Sequence, residues 1–162
     1  MFSKQNISQD YLFYRKQVLE YTNDDMNLKL ENDNQVYIAL FDIPFTSSII
    51  GNQTISLALV FGLNTHIYYS NGKTITGLEI SSNVKKAMQS LLISSHQLLP
   101  YMSINEDIEF HNSQYIRVYL KTKKGIHYKE LKKESKENDF IKMMMNHVLK
   151  EVMKSDEFKQ IK

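Results

Sequence analysis

The chain contains no cysteine. Disulfides, thiolate nucleophiles and cysteine-ligated zinc are thereby excluded. The same absence fits a reducing compartment, and a cytoplasmic location is expected. Glycine is scarce and scattered, at Gly51, Gly62, Gly72, Gly77 and Gly125. A phosphate cradle needs clustered glycines so that backbone N–H groups can reach the oxygens, so neither a Walker nor a dinucleotide-binding loop is present. No apolar run approaches the length of a membrane span; the longest, Ile55–Phe61, is the size of a strand. Met1–Asn6 lacks the basic start and apolar stretch of a leader, so no membrane partner is expected. A large charge of one sign is missing too. Lys and Arg number 20 against 18 Asp and Glu, so the chain as a whole exerts no strong pull on nucleic acid or membrane.

What is there belongs to a folded protein. With 162 residues, 42% of them hydrophobic, the chain suits a single domain spanning 1–162, with an ordered core from about residue 8 to 155. Ser8 can cap a helix carrying Tyr11, Leu12, Val18 and Leu19 on one side, with the stem of Arg15 between them. Met26–Glu31 alternates with strand period, Glu31–Asn34 reads as a turn, and Gln35–Phe41 returns as a more buried strand. Pro44 and Gly51 interrupt Asp42–Gln53, which reads as a loop. Thr54–Phe61 is a strand, and the chain continues to Ser70 before Asn71-Gly72.

Asn-Gly supplies the two positive φ angles of a type I′ turn and predicts a two-residue hairpin loop. That register sets Tyr68 opposite Ile75, outward, with Ile67 and Tyr69 inward. A long helix capped by Ser81 or Ser82 follows, its stripe running through Val84, Ala87, Met88, Leu91, Leu92, Ser95, Leu98 and Leu99 until Pro100. A second hairpin is expected between Asp107–His111 and Tyr115–Lys121, turning at Asn112–Gln114. It places Glu109 across from Arg117 and His111 across from Tyr115. Ile126–Leu131 gives a further short strand, and a last helix from about Glu137 buries Phe140, Ile141, Met144, Met145, Val148 and Val152. The predicted class is α+β: an antiparallel sheet, a meander plus a second hairpin, packed by N-terminal, central and C-terminal helices in the order α-β-β-β-β-β-α-β-β-(β)-α. Helices are expected on one sheet face, leaving the other to solvent or a partner.

No catalytic, cofactor or metal signature stands out, and no cofactor is expected. His147 and Glu151 are four apart on the last helix, which is half a metal site and more simply a surface contact. Ser94, Ser95 and His96 are neighbours on a helix and point in different directions, so they form no nucleophile–base pair. The strand face Tyr115, Arg117, Tyr119, Lys121 interleaves aromatics with cations. Acids sharing that face make it resemble a protein-binding surface more than a nucleic-acid one.

The leading expectation is a non-catalytic protein-binding module, such as an inhibitor, immunity protein, chaperone or regulatory adaptor. It would act by surface occlusion through Tyr68, Ile75, Tyr115, Arg117 and Tyr119, with another protein as its partner. A nucleic-acid-binding domain using Arg117, Lys121, Lys123 and Lys124 is the alternative. An enzyme with an unfamiliar site near His66 or His111 is a third reading. Self-association through an open sheet edge or the last helix is compatible with all of them.

Overall fold

The computed structural model describes residues 7–49, 51–62, 64–105 and 107–159. Helix α1 (Gln9–Glu20) starts at Ser8, whose Oγ accepts from the Asp10 N–H. Strands β1 (Ile38–Ser47), β2 (Gly51–Val60), β3 (Asn64–Tyr69) and β4 (Thr74–Ile75) follow as a meander. A 3-10 turn leads to α2 (Ser82–Ser94), capped by Ser81 Oγ on the Val84 N–H, and a second 3-10 turn carries the chain from Ser95 to Tyr101. Strands β5 (Ser103–Ile104), β6 (Arg117–Thr122) and β7 (Gly125–Glu130) precede α3 (Lys136–Lys154) and the short α4 (Asp156–Lys159).

The strands form one antiparallel sheet in the order β4-β3-β2-β1-β6-β7-β5. The α+β class with an antiparallel sheet is thus as expected. The layering is not. Helices α2 and α3 cover one face, burying Ala39, Phe41, Leu57, Leu59, Ile67, Val118 and Leu120 against Val84, Met88, Leu91, Ile141, Met145 and Val148. Helix α1 covers the other face, closing a second core of Tyr11, Leu19, Leu40, Ala58, Tyr68 and Tyr119. Neither face is left to solvent.

Four local expectations also give way. Residues Met26–Glu31 form no strand; Met26 and Asn27 close a turn that begins at Asn23, and Met26, Leu28 and Leu30 pack half-buried on Tyr37, Ile38 and Val60. The presumed loop Asp42–Gln53 is instead the body of the β1–β2 hairpin, paired from Ile38↔Val60 out to Ser47↔Gly51. The Asn71-Gly72 hairpin pairs Ile67 with Ile75 and Tyr68 with Thr74, one residue out of the expected register. Tyr69 N donates to Lys73 O, so the loop holds three residues, with Gly72 at φ 97°. Because side chains alternate, the slip turns Ile75 into the core. Finally, Asp107–His111 is no strand. Strand β6 has both edges occupied, by β1 and β7, and offers this segment none. Asp107 N and Glu109 N donate instead to the carboxamide of Asn105 and the carboxylate of Asp107, local bonds that compete with a ladder. The segment lies as a strap against α1, with the Phe110 ring edge-on to Tyr11 at 5.7 Å.

Candidate functional site

The α1 face carries a buried polar network. Tyr11, Arg15 and Leu19 are one turn apart and fall on the helix side turned to the sheet. Arg15 Nη2 donates to Asp42 Oδ2 at 2.7 Å, and its Nε donates to both carboxylate oxygens. Ser56 Oγ donates to Asp42 Oδ1 at 2.6 Å, and the Tyr11 hydroxyl lies 2.7 Å from Ser56 Oγ. Arg15 Nη1 donates to the Ile108 carbonyl of the strap. The guanidinium also stands over the Tyr119 ring, 5.0 Å from its centroid. Burial works against the charge on Arg15, but the Asp42 carboxylate more than offsets it and holds the guanidinium protonated. Burial, with Asp42 adding, pushes the Tyr11 phenol well up. Arg15 is 2% exposed, and every polar atom of the network turns inward. It joins α1, β1, β2 and the strap.

The expected contact surface lies mostly inside. Tyr119 is 1%, Ile75 3% and Tyr68 6% exposed. Tyr68 and Tyr119 sit beneath α1, and Ile75 faces α2 and α3 through the register slip. Of the five residues, only Tyr115 is exposed. Arg117 is largely covered and bonds Glu130 Oε2 at 2.6 Å across the β6–β7 pair, not Glu109, and its guanidinium lies 4.7 Å from the Tyr128 ring centroid. Lys121 is committed as well: its Nζ donates to Leu19 O at 2.8 Å and to Tyr21 O, capping the C-terminal end of α1. That leaves Lys123 and Lys124 as the exposed cations of the proposed nucleic-acid set, in the β6–β7 turn. His111 bonds Asp107 within the strap at 3.1 Å, not Tyr115. His66 lies on the α1 side of β3, where its Nδ1 is 2.9 Å from the Tyr68 hydroxyl. Among the described residues, no three His, Asp or Glu side chains gather as a metal ion would require, and no helix is long and apolar enough to cross a membrane.

The surface that stands out is the outer half of the β1–β2 hairpin. Strand β6 pairs with β1 from Ile38 to Asp42, and β3 pairs with β2 from Ile55 to Val60, with Ser70 N adding a bond to Thr54 O. Beyond those points β1 and β2 pair with each other as a two-stranded ribbon. Phe61 N donates to Tyr37 O, which turns the odd-numbered residues of β1 toward β2 and the even-numbered ones toward β6. Pro44, with no N–H, therefore sits where the next β6 bond would form, and pairing with β6 stops there. The ribbon turns at a loop that carries Ile49, 90% exposed. Along the sequence, Ile43 to Gly72 contains no Asp, Glu, Lys or Arg, although such residues make up 23% of the chain. Sequence reasoning passed over this stretch because Pro44 and Gly51 suggested a loop; its lack of charge was the available signal.

No family model, curated protein or solved structure matches the chain. The candidate surface accordingly stands on its geometry.

Proposed function

We propose that this chain is a non-catalytic protein-binding module, of the inhibitor, immunity-protein, chaperone or adaptor type, and that it engages its partner through the end of the β1–β2 ribbon. The observation supporting this reading is the 90% exposure of Ile49 at the turn of an uncharged hairpin. Edge strands are ordinarily guarded by charges, prolines or cover, because an unpaired ladder invites another chain. Here Pro44 is the guard on the β1 edge and no charge supports it. Interface centres are depleted of charge and anchored by apolar side chains that fill a partner's pocket. A paired ribbon presents such an anchor with little conformational freedom left to lose on binding. The mechanism is occlusion: the ribbon end occupies a surface of the partner that is then closed to anything else.

Capture of partners from a lysate of the source cells tests this. The wild-type chain is compared with Ile49→Asp and with Ile93→Asp, which places the same charge on the exposed side of α2. A partner retained by wild type and Ile93→Asp and lost by Ile49→Asp supports the reading. A partner retained equally by all three refutes the assigned surface.

A further inference from the structure

Where α1 ends against β3, a cleft of about 410 Å³ opens beside the sheet. Its walls include Tyr14 on α1, Tyr68 and His66 on β3, and Val60 at the end of β2; Glu20 and Asp25 line it as well. The rings of Tyr14 and Tyr68 lie 5.5 Å apart, tilted by 30°. The His66 ring stands edge-on to Tyr68, held by the 2.9 Å contact between Nδ1 and the hydroxyl. Burial pushes the His66 imidazole below its ordinary value, so it contributes no positive charge near neutral pH. The C-terminal end of α1, the negative end of its dipole, also terminates here, and the last turn of α1 carries no basic residue. The nearby cation is Lys121, and its ammonium is already spent on the Leu19 and Tyr21 carbonyls. Glu20 and Asp25 bring two carboxylates to this end of the cleft.

Aromatic faces next to carboxylates, with an apolar wall for a short alkyl chain, form the environment that attracts an organic cation. We propose that this cleft binds an alkyl ammonium or guanidinium group, either the end of a lysine or arginine side chain or a free alkyl amine. The Tyr14 ring receives the cation and the last methylenes of its chain, with the buried Tyr68 ring behind it. Glu20 and Asp25 supply the opposite charge. The site is independent of the ribbon and lies on a different part of the sheet.

The test is a titration of the full chain with agmatine, followed by proton NMR on the His66 ring signals. N-butylurea serves as the uncharged control, and the tripeptide Gly-Arg-Gly as a protein-like source of the same group. Agmatine is expected to shift the His66 signals saturably in the millimolar range, and N-butylurea to leave them in place. Glu20→Gln combined with Asp25→Asn, both at exposed positions, is expected to weaken agmatine binding about tenfold. Tyr14→Leu is expected to weaken it as well. Equal response to the tripeptide assigns the site to a partner's side chain, whereas response to agmatine alone assigns it to a free amine. The proposal is overturned if agmatine fails to saturate up to about 50 mM. It is also overturned if N-butylurea moves the same signals equally, or if the double variant binds unchanged while its thermal melt matches wild type.

Discussion

Replacing Arg15 by Met keeps the length of the side chain and removes its charge. In the folded protein Asp42 would then stand buried with Ser56 Oγ as its remaining donor, and the Ile108 carbonyl would lose the Arg15 bond. Removing one partner of a buried, hydrogen-bonded ion pair costs about 3–5 kcal/mol, because the other charge stays desolvated and uncompensated. In a domain of this size that lowers the melting temperature by about 10 °C. Asp42→Leu, which strands the guanidinium, should cost a similar amount. The informative variant is the pair together. Arg15→Met with Asp42→Leu leaves neither charge behind, and should be less destabilised than the sum of the singles by at least about 2 kcal/mol. Urea denaturation followed by circular dichroism measures all four corners of the cycle, with constant m-values as the check on two-state unfolding. The strap should report the same event: amides near Ile108 should exchange faster in Arg15→Met than in wild type. Singles that cost less than about 1 kcal/mol, or a double that equals their sum, would show that the pair is not the buried junction described here.

Three further outcomes follow from the same geometry. Tyr119→Phe removes a buried hydroxyl whose hydrogen-bonding neighbour is the Arg117 side chain and keeps the ring under Arg15, so stability should fall, by about 1 kcal/mol in urea melts. Gly72→Ala meets a backbone at φ 97° and sets a Cβ 2.7 Å from Ser8 Oγ, the cap of α1; stability should fall by more than the roughly 0.4–1 kcal/mol that a Gly→Ala change gains at a compatible φ. The imidazoles of His66 and His127 are both pushed down by burial, the second also by Lys124, so the unfolded chain takes up a proton more readily than the folded one. Stability is full above the unfolded value of about 6.5 and is lost as pH falls from there toward the lower folded values. Thermal melts between about pH 7.5 and 5.5 should show that decline, and His66→Gln with His127→Gln should flatten it.

Helices α2 and α3 were legible in the sequence because each buries one continuous stripe, and Val84 to Leu98 and Ile141 to Val152 fall inside as their spacing implies. Alternation in β6 was legible too, but its meaning was not. Arg117, Tyr119 and Lys121 read as a wet face, yet Tyr119 lies under Arg15 of α1, Lys121 caps the end of α1, and Arg117 is held by Glu130 and the Tyr128 ring. A sheet face that meets a polar helix network has the same tyrosine and arginine content as one that meets water. Arg15 in the middle of an apolar helix stripe, and Asp42 at the end of an apolar strand, were the marks of that cover. Asn71-Gly72 marks the hairpin, but the register differs by one residue from the two-residue loop that the pair implies. Ser70 is drawn into bonds with Gln53 and Thr54 of β2, which lengthen the loop, and no local pattern announces such long-range partners. The ribbon was hidden by Pro44, which ends pairing on one edge without ending the strand.

The ribbon end around Ile49 is the proposed partner-binding surface. Its most direct test is a photo-crosslinking amino acid placed at position 49, and for comparison at positions 93 and 153, in the cells that make the protein. A discrete higher-mass adduct is expected from position 49 and none from the two helix positions. Adducts from position 93 or 153, with none from 49, would contradict it.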